Sequence, residues 1–256
     1  MVIEDRRRMM GAVASCLLAL SCASWARGPE ALPVITLSGS TEVKDSVLGR
    51  WLQLIYTEAF ARLGYQFKYA AVPMRRSSAM SAMGLSDGEI NRAYDYGQYA
   101  PQLVRVEEPH VVTRYMAYAT RPGLHFNGWS SLSGTGLKVG YFAGAFRVER
   151  MLEAVLPQAD LSAVGGVDIG LQMLYLRRID LFVYNEILIQ DWLHRIDSST
   201  IDKSLFYPVG EMEPISYYAF LAPKFAALAP KLAEVLRKMR KEGLIEQYRV
   251  QAQGNG

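Results

Sequence analysis

Cysteine and histidine are scarce in this chain. Its 256 residues include two cysteines, Cys16 and Cys22, and three histidines, His110, His125 and His194. Both cysteines fall in the first 22 positions, so everything after them is without disulfides, thiolate nucleophiles or cysteine–metal sites. The histidines are scattered and lack metal-ligand spacing; no metal or other cofactor is expected. Charge is nearly balanced, with 28 basic against 25 acidic residues. No basic stripe interleaved with aromatics is present, which argues against a nucleic-acid partner. There is no Gly-x-Ser-x-Gly elbow, no Gly-Lys-Ser/Thr phosphate loop and no dinucleotide fingerprint. Past the amino terminus, no apolar run approaches the roughly 20 residues needed to cross a bilayer.

The composition is that of an ordinary globular protein, half hydrophobic and 21% charged. The amino terminus is distinctive. Arg6-Arg7-Arg8 precedes an apolar run over residues 9–20, and small residues follow at Ser21, Ala23, Ser24 and Ala26. This is the layout of a secretory signal peptide, expected to span residues 1–26 with cleavage after Ala26 or Ala23. An uncleaved anchor and a lipid-modified Cys22 or Cys16 are the alternatives. The expected location is the periplasm.

Further along, apolar residues follow strand and helix periods in alternation. Residues 34–37 read as a first strand, followed by a polar loop through Ser38, Ser40 and Glu42. Asp45 is a candidate cap for a helix carrying Leu48, Leu52, Ile55 and Ala59 on one face, ended by Gly64. A strand over 65–72 stops at Pro73, and a helix from near Arg75 runs into Gly84 and the Asp87-Gly88 pair. The next strand delivers Glu89 and Arg92. The order β-α-β-α-β implies a mainly parallel sheet flanked by helices, with these side chains at its carboxyl edge, the usual ligand edge of open α/β folds. A second copy of the plan covers residues 171–186: a helix, Arg177-Arg178, a strand over 179–184, then Asn185-Glu186. Two such units predict two α/β lobes facing each other. Extended runs at 111–120 and 214–221 are expected to connect them, the second after a turn at Glu211-Met212-Glu213. The turn over residues 142–145 opens a helix whose free N–H groups suit an anion.

Several local patterns occur in a telling order: Pro73-x-x-Arg76, Asp87-Gly88-x-x-x-Arg92, residues 102–109 (Gln-Leu-Val-Arg-Val-Glu-Glu-Pro), the 173–180 segment, and the tail from Leu221-Ala222-Pro223-Lys224 to Gly243-Leu244-Ile245. With the signal peptide, they make the chain resemble the extracellular solute-binding proteins of family 3, the polar-amino-acid type, over roughly residues 33–250. The resemblance implies a two-lobed periplasmic-binding-protein-like α/β fold of type II, two mainly parallel sheets joined by two crossing strands, and a ligand held between the lobes. It divides the chain into lobe I (27–117 and 218–256) and lobe II (118–217). Amino-acid binders of the family usually carry a threonine–acid–arginine run and then a Phe-Ser-x-Pro-Tyr-like strand. Here that place reads Val106-Glu107-Glu108-Pro109-His110, so the usual carboxylate-clamping arginine is displaced.

Candidate ligand contacts are Ser38, Ser40, Glu42, Arg76, Glu89, Arg92 and Tyr94 from the first lobe, and Tyr141, Phe142, Arg147, Asn185 and Glu186 from the second. An arginine suits a ligand carboxylate because its planar fork makes paired hydrogen bonds. For Arg92 the competing reading is an ion pair with Glu89 or Asp95; for Asn185-Glu186 it is a helix cap. The implied role is delivery of a small anionic or zwitterionic ligand to an inner-membrane ABC permease by a monomeric, non-enzymatic protein. The alternatives are a cyclohexadienyl-dehydratase-like enzyme and a ligand sensor for a membrane receptor.

Overall fold

The computed structural model describes residues 31–197 and 199–254. The expected signal peptide, residues 1–26, and both cysteines lie outside them. The first half runs β1 (Val34–Ser40), α1 (Thr41–Lys44), α2 (Val47–Arg62), β2 (Gln66–Val72), α3 (Met74–Ala82), β3 (Gly88–Ala93) and β4 (Val104–Arg105). Then β5 (Val111–Ala119) and β6 (Phe126–Asn127) lead to β7 (Val139–Phe142), α4 (Phe146–Glu153), β8 (Leu161–Val164), α5 (Val167–Tyr175), β9 (Leu181–Asn185) and α6 (Glu186–Arg195). The chain returns through β10 (Tyr207–Leu221) to α7 (Ala229–Lys241) and α8 (Leu244–Gly254).

The periodicities account for the packing. Leu48, Leu52, Ile55 and Ala59 of α2 are all fully buried, as spacings of three and four residues on one helix face require. The cap is Ser46 rather than the expected Asp45, because α1 takes up residues 41–44. Ser46 Oγ accepts the Gly49 N–H at 3.1 Å, satisfying a donor left free at the helix start. Gly64 follows α2 and Gly84 follows α3 with φ of 80° and 70°, values glycine adopts without strain.

Strands β2-β1-β3 and β8-β7-β9 are parallel sets, each wound with helices. Between them lie β10 and β5, antiparallel to each other and to their outer neighbours, giving the order β2-β1-β3-β10-β5-β9-β7-β8. The sheet edges of both halves therefore meet across the two connecting strands. The expected turn at 211–213 is not a turn. Residues 207–221 form one strand of 15 residues with register shifts between Pro208 and Gly210 and between Glu211 and Glu213. Such irregularities bend a strand without ending it. The tail belongs to the first half: Trp51 Nε1 donates to the Ile245 carbonyl at 2.8 Å, and Arg50 Nε to that of Ala252 at 3.0 Å.

Candidate functional site

The floor of the first half is set by Gly88. Its φ is 153°, and a side chain there would overlap the Phe220 carbonyl of β10. The bare backbone lets β3 lie against the crossing strand, and the next residues carry the polar groups. Glu89 is fully buried and Arg92 nearly so. They form an ion pair through Arg92 Nε and Glu89 Oε2. Tyr96 donates to Glu89 Oε1 at 2.7 Å and Ser77 to Oε2 at 3.3 Å. Ser77 belongs to a sealed cluster with Ser38, Ser81 and Ser86, whose hydroxyls bond to one another at 2.9–3.3 Å. Arg92 Nη2 donates to the Met74 carbonyl and Ser78 Oγ at 3.3 and 3.1 Å. Its Nη1 has no partner among the described residues, and Arg92 lines a cleft between the halves.

That cleft is nearly closed, with about 40 Å³ of free space. The second half contributes the Gly144–Phe146 turn and the end of β9. Asn185 caps α6, accepting the Leu188 N–H at 3.3 Å, and donates to the Tyr217 hydroxyl at 3.3 Å. Tyr217 donates in turn to Tyr115 at 3.0 Å. Tyr184 is different. Its side chain is 96% buried, yet its hydroxyl makes no hydrogen bond among the described residues. Burial pushes its pKa well above the ordinary value, Tyr217 adding to the effect, Arg92 opposing it and Glu42 adding further. Tyr184 also borders a second, larger cavity of about 320 Å³, lined by Glu42, Phe142, Asp168, Asp191 and Trp192. The hydroxyl oxygen itself is not sealed from solvent; it opens onto the cavities between a cation on one side and carboxylates on the other, free to bond to whatever enters.

Across the mouth, α4 is tied to the connecting strand β10 and, through Asp95 and Arg75, to the first half. Arg147 gives Nε and Nη2 to Glu213 on β10, both at 2.6 Å, and Nη1 to Asp95 at 2.7 Å. Arg150 reaches the same Asp95 oxygen at 2.5 Å. Arg147 also lies over the Tyr94 ring at 4.7 Å, and Phe146 stacks on Tyr99 with centroids 5.0 Å apart. Arg75 of α3 pairs with Glu149 of α4 at 3.2 Å. Replacing Arg147 by Ala is expected to remove charged hydrogen bonds of about 1.5–3 kcal/mol each and to shift the population toward separated halves. A larger radius of gyration in X-ray scattering without added solute checks this; an unchanged radius counts against the clamp.

Of the residues singled out in the sequence, Arg92, Arg147 and Asn185 line the first cleft, while Glu42 and Phe142 line the second chamber. Arg92 makes the Glu89 pair that was its competing reading, yet keeps one nitrogen for the cleft. Arg147 borders the cleft with all three nitrogens committed to carboxylates, and Asn185 is committed as a helix cap. Ser38 and Glu89 are buried behind the wall, and Ser40 is bound to Glu42. Tyr94 is an exposed platform for Arg147. Tyr141 turns to Glu149 at 3.0 Å, and Glu186 pairs with Arg114 at 2.7 Å. Arg76 is exposed on α3 with no ion pair among the described residues. Sequence reasoning passed over Tyr184, Asn91, Asp95, Tyr115 and Tyr217. Tyr184 sits one residue before the Asn185 that was noticed. Tyr115 and Tyr217 meet only through the pairing of β5 with β10, which no local pattern encodes.

No protein-family model matches the chain. An uncharacterized protein of Shewanella oneidensis is 35% identical over 223 residues, 87% of this chain and 83% of that one. The two proteins belong to one family. Among solved structures, the family's fold is shared by a histidine kinase sensor domain with similarity to periplasmic binding proteins, at a TM-score of 0.70 and 18% identity, covering 85% of this chain and 95% of that one. An ancestral arginine-binding protein bound to glutamine matches with a TM-score of 0.67 and 14% identity over 84% of this chain and 96% of that one. An ancestral amino-acid-binding protein that is a precursor of cyclohexadienyl dehydratase matches with 0.67 and 12% over 85% and 94%. At such identities the likeness establishes the two-lobed periplasmic-binding-protein fold for this family. Among the described residues, no helix is long and apolar enough to cross a membrane.

Proposed function

We propose that this chain is an exported solute-binding protein that closes its two lobes on a small zwitterionic or anionic, amino-acid-like molecule and passes it to an inner-membrane ABC permease. In this reading residues 1–26 direct export to the periplasm, residues 27–117 and 218–256 form one lobe, and residues 118–217 form the other. The observation that carries it is the Tyr184 hydroxyl, open to the cavities and without a protein partner among the described residues where the two chambers meet. Beside it, Arg92 Nη1 offers a guanidinium edge suited to a carboxylate, and Glu42 and Asp168 offer acceptors for an ammonium group. Neighbouring folds whose names record glutamine and arginine as ligands add support. A sensory role, reporting the same ligand to a membrane receptor, is favoured by one observation, the likeness to a kinase sensor domain.

A thermal-shift screen with amino acids, small carboxylates and polyamines tests the reading. A solute at about 100 times its dissociation constant stabilises the fold by roughly 2.7 kcal/mol. Arg92→Ala is expected to weaken binding of the best solute more than tenfold, in keeping with loss of a hydrogen bond to a charged group. Equal calorimetric affinity in the variant removes Arg92 from the site. Recovery of the solute chemically unchanged separates binding from dehydration of prephenate or arogenate.

A further inference from the structure

The interior of the first lobe holds a titratable side chain that the binding reading leaves unused. His110 is fully buried, between α2 and β3. Tyr56 Oη lies 2.8 Å from its Nδ1, and Asn91 Oδ1 lies 2.9 Å from its Nε2. Burial, with Arg240 adding repulsion, pushes its pKa down to about 3, so the ring holds one proton at neutral pH. Counting hydrogens places that proton. Tyr56 is also fully buried, and burial raises its pKa, so its hydroxyl keeps its hydrogen. His110 Nδ1 is the one acceptor within its reach among the described residues. The Tyr56 O–H therefore donates, Nδ1 accepts, and the ring proton sits on Nε2. Nε2–H then needs an acceptor, which only the carbonyl end of the Asn91 amide supplies. The reverse orientation would set N–H against N–H. Asn91 Nδ2 is thereby left without a partner among the described residues, while Asn91 itself lines the cleft.

We propose that Tyr56 and His110 are positioning residues that lock the Asn91 amide as a hydrogen-bond donor to the ligand, so that Asn91 Nδ2 and Arg92 Nη1 together select a carboxylate or similar two-oxygen anion. The inference rests on the solute-binding reading and adds to it the group that is recognised and a second donor. At the carboxyl edge of β3, Asn91 and Arg92 are neighbours that both line the cleft, one neutral and one charged. An amide free to flip would present its oxygen to the anion half of the time; the relay forbids this without adding charge.

Two measurements test the proposal. Long-range proton–nitrogen spectra of the intact protein should show His110 as the neutral Nε2–H tautomer at pH 7; the Nδ1–H tautomer overturns the relay. Calorimetry should then compare L-glutamine with L-glutaminamide, which keeps the ammonium and side chain and replaces the carboxylate. The native chain should prefer glutamine, and Asn91→Asp should reduce that preference roughly tenfold, the worth of a charge-assisted hydrogen bond. His110→Leu fills the space and leaves Asn91 free to flip, and should lose the preference as well. His110→Gln can accept from Tyr56 and donate to Asn91, and should restore it. A folded His110→Leu protein with its preference intact overturns the proposal. A native chain that binds neither probe counts against the solute-binding reading itself, and the tautomer then decides the relay alone.

Discussion

Glu89→Gln is expected to lower the unfolding free energy by about 3–5 kcal/mol, the usual consequence of stripping one partner from a buried ion pair. Glu89 has no exposed surface, and its two oxygens receive Arg92, Ser77 and Tyr96. Glutamine keeps the shape but brings an N–H₂ group against these donors, and Arg92 is left as a buried cation without a counterion. Denaturant unfolding at pH 7 measures the effect as a lower midpoint with an unchanged slope. Arg92→Met combined with Glu89→Gln should recover part of the loss, because the cation that made it costly is gone. A loss below about 1 kcal/mol for the single variant would mean the pair is solvated and not part of a fixed floor.

Acid should unfold the protein through His110. Its pKa in the fold is about 3, against about 6.5 in an unfolded chain. The unfolded state therefore takes up a proton that the folded state refuses, and stability rises with pH across this window. The contribution is complete above pH 6.5 and is lost as pH falls from there toward 3, on the order of 4–5 kcal/mol in all. His110→Gln cannot titrate. The stability difference between the native chain and this variant should change by about 1.4 kcal/mol per pH unit between pH 6 and 4. A difference flat with pH over that range would show that the ring charges freely where it sits.

Much of the architecture was readable before any coordinates. The helical spacing of Leu48, Leu52 and Ile55, the stop at Pro73 and the second helix–strand unit at 171–186 are local patterns, and local patterns are what sequence carries best. The same logic brought Arg92 to a strand end. It failed where distant segments meet. Arg147 reads as a ligand contact because the Glu213 that occupies it lies 66 residues later, and their partnership depends on the path of β10. That path was itself misjudged: an acidic Glu211-Met212-Glu213 looks like a turn, and only pairing with β5 keeps it extended. Tyr184 was hidden for another reason. A tyrosine in an apolar strand suggests core packing, and its ring does pack against Phe142 at 5.2 Å. Only the surroundings reveal that its hydroxyl opens onto the two cavities.

The long strand β10 has one more consequence. It hydrogen-bonds to β3 at one end and to β5 along most of its length, so the two halves are threaded on a single two-stranded ribbon and not strung on loose tethers. Its irregularities between 208 and 213 concentrate where that ribbon enters the second half, and a bulged ribbon coils more readily than it shears. Opening should then be a torsion about this axis, with Glu213 on the ribbon itself and Asp95 carried by the first half. Arg147, gripping both, would keep its paired bonds to Glu213 while its bond to Asp95 must let go.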